Sequence, residues 1–218
     1  MIAVLVALSV LGAHEIVARA KETDKRIWNF EVDRVGEPPV GFSFGRTGQG
    51  RVGRWIVHVE KEAPSGTNVL VQVDADKTDY RFPVAVANEP VLRDVRLAVK
   101  CKPVSGKVDQ ACGLVFRYHD EHNYYVTRAN ALEGNVRLYH VVNGDRRQFA
   151  EWNGAVTSRA WHELAVEAHG DHLAVYWDGQ EVIDVHDQAL RTPGKIGVWT
   201  KADSVTYFDD LRVEPLEP

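Results

Sequence analysis

Arginine, histidine and tyrosine recur through ACGLVFRYHDEHNYYVTRAN (residues 111–130) at a spacing that could hold or transform a polar ligand. If Glu121-His122 forms the tip of a two-residue hairpin, Asp120 opposes Asn123 and His119 opposes Tyr124. Side chains alternate across a strand, so Val115, Arg117, His119, Tyr124, Val126 and Arg128 share one face. Leu114, Phe116, Tyr118, Tyr125, Thr127 and Ala129 share the other and read as core. The polar face offers His119 as a general base and Arg117 as a cation for a developing oxyanion. Around that pair, Tyr124, Arg128 and Asn130 offer a ring face and hydrogen bonds to hydroxyls. Arg137 and Tyr139 join them if Asn135–Val142 is the next strand with its odd residues facing the same way. Trp199 adds an aromatic face, and Lys201 puts a cation at the mouth of a cleft. The run His119-Asp120-Glu121-His122 holds ligand-type side chains, but adjacent residues on a tight turn do not converge on a metal without help from another strand. It reads as a polar hairpin tip. No cofactor is expected.

Strands must position these residues. Past Lys21 there is no useful helical period, and short alternating runs recur about every 8–12 residues between Gly, Asp, Asn or Pro, the pattern of an antiparallel β-sandwich. Asn143-Gly144, Gly170-Asp171 and Asp178-Gly179 are hairpin signals. Residues 21–218 read as a single all-β domain. Phe208 and Leu211 should both face the core although they are an odd number apart, so a β-bulge is expected at Asp209-Asp210. The chain has two cysteines, Cys101 and Cys112. They flank a turn-rich segment and should lie on neighbouring antiparallel strands, as a cross-hairpin disulfide or as two buried thiols.

The formal net charge of −5 argues against nucleic acid or an anionic lipid surface as partner. Residues 2–12 form an apolar run too short for a membrane span. With Ala18-Arg19-Ala20 as cleavage pattern, residues 1–20 read as a signal peptide, although a basic residue near the start is missing. Export to the periplasm or the extracellular space follows.

Three segments carry a family resemblance: GLVFRYHDEHNYYVTRAN, WHELAVEAHGDHLAVYWDGQEVIDVHD and GKIGVWTKADSVTYFDDLRV. Together they resemble the concanavalin A-like jelly roll. More narrowly, Val91 to Val213 is similar to the laminin-G-like and "domain of unknown function 1080" group, parts of which are described as 3-keto-disaccharide hydrolases. The resemblance implies a jelly roll of two antiparallel sheets with a carbohydrate or sugar-derived ligand on the concave one. It also allows a structural Ca²⁺ near the last strand, beside Asp209-Asp210. A two-carboxylate glucanase is disfavoured, because retaining chemistry needs paired carboxyls on one side of a strand. Glu31-Val32-Asp33 is followed by Gly36 where the second Glu is required, and Glu181 and Asp184 have opposite parity. A 3-keto glycoside needs only a base at C2 and an electrophile at the carbonyl, the roles open to His119 and Arg117. Saccharide binding, keto-glycoside cleavage and laminin-G-like protein recognition all remain open on these residues.

Overall fold

The computed structural model describes residues 25–217, and the expected signal peptide lies outside them. The first strands in chain order are β1 (Arg26–Trp28), β2 (Phe42–Gly48), β3 (Trp55–Val59), β4 (Asn68–Gln72) and β5 (Arg81–Ala87). Next come β6 (Val95–Ser105), β7 (Ala111–Asp120), β8 (Asn123–Asn130), β9 (Asn135–Val142) and β10 (Asp145–Asn153). The chain ends with β11 (His162–His169), β12 (His172–Trp177), β13 (Gln180–His186), β14 (Lys195–Trp199) and β15 (Val205–Pro215). No helix occurs among the described residues.

One sheet runs β13-β12-β11-β6-β15-β4-β3, with β1 added alongside β15, and the other runs β10-β9-β8-β7-β14-β5-β2. All these pairings are antiparallel, as in a jelly-roll sandwich. Alternation explains the packing. Leu97, Val99, Leu164, Val166 and Val175 of the first sheet meet Leu114, Phe116, Tyr125, Leu138 and Val198 of the second in one buried core. Each large apolar side chain buried there contributes about 1.5–3 kcal/mol, so a one-residue slip of any strand would be costly.

The seven-stranded sheet is apolar on its outer face too. Phe82, Val84, Val86, Val115, Tyr124, Val126, Tyr139, Val141 and Trp199 form a second buried cluster there. Strand β2 reaches this face through Thr47 and Gly45, and its glycines and arginine disguise it in the sequence. The three-residue β1 is equally unmarked.

The bulge in β15 is present. Its pairing with β6 shifts between Asp209 and Arg212, Asp210 has φ 46°, and Phe208 and Leu211 both enter the core. Cys101 and Cys112 are bonded, with Cα atoms 6.3 Å apart. The expected neighbouring-strand geometry is corrected, however: Cys101 lies on β6 in one sheet and Cys112 on β7 in the other. The segment between them turns the chain across the edge of the sandwich instead of folding it into a hairpin, so the disulfide joins the sheets.

Candidate functional site

The β7–β8 hairpin has the expected tip, with Asp120 opposite Asn123 and the Asp120 carboxylate accepting the His122 N–H at 2.7 Å. The face assignment then departs from simple alternation. Pairing jumps from Phe116↔Tyr125 to Asp120↔Asn123, so residues 117 to 119 stand opposite Tyr124 alone. Arg117 takes φ 46° and absorbs the excess. Gly194 lies against it, where a Cβ would collide with the Arg117 backbone. Tyr118, not His119, comes to lie beside Tyr124, with ring centroids 5.4 Å apart.

Arg117 and His119 are therefore corrected as members of the shared face. Arg117 is fully buried, and its guanidinium donates to the carbonyls of Arg93 (2.9 Å), Leu190 (2.9 Å) and Gly170 (2.7 Å). Asp94 lies 3.6 Å away and accepts the Gly170 N–H. This arginine ties three chain segments together and has no edge left for a ligand. His119 is exposed, bonds Thr192 at 3.0 Å, and lines a recess of about 480 Å³ with Asn123 and residues 188–192.

Tyr124, Arg128, Asn130, Arg137, Tyr139, Trp199 and Lys201 do meet, on the outer face of the seven-stranded sheet. Arg128 donates to Asn135, to Glu133 at 2.8 Å and to the Tyr139 hydroxyl at 3.2 Å. Arg137 binds Glu133 at 2.9 Å and Glu151 at 3.0 Å. Burial works to raise the Glu133 carboxyl, but Arg128, Asn135 and Arg137 together hold it below the usual range. Beside this network Lys201 bridges Asp79 (2.9 Å) and Asp109 (3.0 Å), and Asn130 donates to Asp109 at 2.8 Å. Burial raises the Asp109 carboxyl despite the neighbouring ammonium.

The three rings expected to stack on a sugar are buried, Tyr124 and Trp199 completely and Tyr139 at 4% exposure. What lies over them is Arg146, a residue overlooked in the sequence. Its guanidinium carbon is 3.6 Å from the Tyr139 ring centroid, 4.7 Å from Phe82 and 5.7 Å from Trp199. Phe82 and Trp199 stack at 5.4 Å to complete the floor. The Asn143-Gly144 turn could have located Arg146, since it pairs Arg146 with Val141, whose parity is that of Tyr139. A guanidinium lying over rings has N–H donors that no carboxylate among the described residues holds, which suits vicinal hydroxyls or an oxyanion.

Other polar groups are engaged elsewhere. Glu31 accepts the Thr67 and Asn68 N–H groups, and Asp33 accepts that of Val40, so these two carboxylates shape a loop. Asp209 and Asp210 hold Ser65, and a cation between them would have to displace those bonds. No group of three or more His, Cys, Asp or Glu side chains converges as a metal site among the described residues. A groove of about 440 Å³ crosses the outer face of the eight-stranded sheet over Ala98 and Ala165. The rim charges Lys25, Arg96 and Arg212 pair there with Glu214, Glu167 and Glu163.

Fold and face together define a concanavalin A-like β-sandwich with a cation-rich outer sheet. Residues 59–214 match the family model described as "3-keto-alpha-glucoside-1,2-lyase-like domain", and the chain belongs to that family. Levanase of Bacillus subtilis is 30% identical over 107 residues, which cover 48% of this chain and 15% of that enzyme. Among solved structures, carbohydrate binding module CBM66 from Bacillus subtilis aligns with TM-score 0.63 and 21% identity, over 80% of this chain and 95% of the module. The Bacillus licheniformis β-glucanase aligns with TM-score 0.58 and 12% identity, over 88% of this chain and 98% of the enzyme. At these identities the structural likeness shows the fold.

Proposed function

We propose that the outer face of the seven-stranded sheet binds a saccharide, with Arg137, Arg146 and Lys201 supplying the polar contacts and the buried Arg128 bracing them. The observation that carries this reading is the convergence of four cations with Asn130 and Asn135 at one sheet face, Lys201 reaching it from the turn after β14. A sheet fixes such groups better than loops do, which lowers the ordering cost of binding. Family membership, the levanase match and the likeness to a carbohydrate binding module support the same ligand class. Recognition here is by hydrogen bonds from guanidinium edges, since the rings lie beneath Arg146.

A second reading, cleavage of a 3-keto glycoside, is favoured by the family description and by Asp109, a buried carboxyl raised by its surroundings and paired with Lys201. In that case Asp109 replaces His119 as the base. Calorimetry and turnover assays on neutral and 3-keto saccharides test both readings. Arg137→Ala and Lys201→Ala, both partly exposed, should each weaken binding by about 1–3 kcal/mol, the usual loss for a charged hydrogen bond. Asp109→Asn should abolish any turnover while the protein stays folded. Unchanged binding in Arg137→Ala/Lys201→Ala would overturn the face. The protein works after export on either reading, which agrees with a disulfide formed in an oxidising compartment.

A further inference from the structure

The cations on this face differ in how they are satisfied. Arg128 has Glu133, Arg137 has Glu133 and Glu151, and Lys201 has Asp79 and Asp109. Arg146 has no carboxylate within ion-pair distance among the described residues, and its Nε is buried without a hydrogen-bond partner. Its surroundings are the rings of Tyr139, Phe82 and Trp199, with the charge of Arg128 close enough to repel it. Removing a guanidinium from water beside another guanidinium is unfavourable, and the rings and the Tyr139 hydroxyl offset this only in part. The acids nearby cannot relieve it, because each is already committed to another cation. An anion arriving from solvent would meet the guanidinium of Arg146, with the buried Arg128 close by, and would relieve the repulsion between the two; a guanidinium's planar fork matches a carboxylate or a sulfate.

We infer that Arg146, backed by Arg128, receives an acidic substituent of the saccharide, so that this face selects uronic-acid or sulfated sugars over neutral ones. The inference rests on the saccharide-binding reading and adds the chemical class of ligand. Arg146 also covers the rings, since its side chain occupies the space a sugar would need to stack on Tyr139.

The test uses a glycan array in which each neutral oligosaccharide is matched by a carboxylate-bearing and a sulfate-bearing counterpart, with calorimetry on the hits at low and high salt. Acidic members should bind at least ten-fold more tightly than their neutral partners, and the preference should shrink at high salt. Which acidic arm binds identifies the substituent. Arg146→Gln should erase the preference, so that acidic members bind no more tightly than their neutral partners, with the larger loss falling on the acidic members. Arg146→Lys should retain part of the preference and guards against misfolding of the Gln variant. Equal binding of neutral and acidic members by the unaltered protein, or a preference that survives Arg146→Gln, overturns the inference and leaves saccharide binding standing. Binding of no saccharide overturns both.

Discussion

Asp209 sits fully buried in the β15 bulge, where its carboxylate accepts N–H groups from Ser65 at 3.0 Å and Asp210 at 2.7 Å. Burial outweighs these bonds and, with the nearby Asp210 charge, pushes its pKa up to about 6. A folded pKa above the unfolded one means that the folded chain holds the proton more tightly. This residue therefore favours folding as the pH falls from about 6 toward the unfolded value of 3.8, and it costs stability above about 6. Thermal melts of the wild type and Asp209→Asn at pH 5 and pH 7 read this directly. The difference between the two should move toward the wild type on going to pH 5. A difference independent of pH would mean that Asp209 is not the titrating group. A buried acid of this kind is visible in the sequence only as a parity break, and its titration depends on the Ser65 loop reaching it from far along the chain.

At the scale of elements, the two bulges show what alternation can and cannot reveal. In β15 the flanking residues Phe208 and Leu211 are strongly apolar, so a wrong parity is chemically evident and the bulge could be expected. In β7 the residues Arg117, Tyr118 and His119 are each tolerable on either face, so nothing in their order marks the three-against-one mismatch. The mismatch changes the roles. Arg117 becomes a buried tie between the segments at Arg93, Gly170 and Leu190. Its loss strands three carbonyls and leaves Asp94 without its cation, so Arg117→Ala should destabilise the fold by about 3–5 kcal/mol in urea unfolding. His119→Ala, at an exposed site, should stay within about 0.5 kcal/mol of the wild type. Two equally small effects would remove the structural role assigned to Arg117.

For the whole molecule, the Cys101–Cys112 bond joins the two sheets of the sandwich close to the corner where the chain passes between them. The loop it closes is short, so the expected stabilisation is about 2–3 kcal/mol in the chain-entropy model. Protein recovered from the periplasm or medium should begin at Lys21 and show no free thiol when titrated under denaturing, non-reducing conditions. The Cys101→Ala/Cys112→Ala variant should lose stability by roughly that amount. Two free thiols in exported protein would mean that the sheets hold together without this link.

What the sequence determined by itself is whatever depends on local alternation and turn chemistry. That includes the all-β class, most strands from Trp55 onward, the tip at Glu121-His122, the β15 bulge and the parity that gathers Arg128, Arg137 and Tyr139 on one side. Only the tertiary structure decided which sheet each strand joins, because that depends on pairings between distant segments such as β14 with β5 and β7. It sent Cys101 and Cys112 to opposite sheets, and it turned Arg117 inward because three remote carbonyls were there to receive its guanidinium. It also laid Arg146 across rings from β5, β9 and β14, converting an expected aromatic platform into the support of a cation. Such contacts join residues far apart in the chain, and no local period records them.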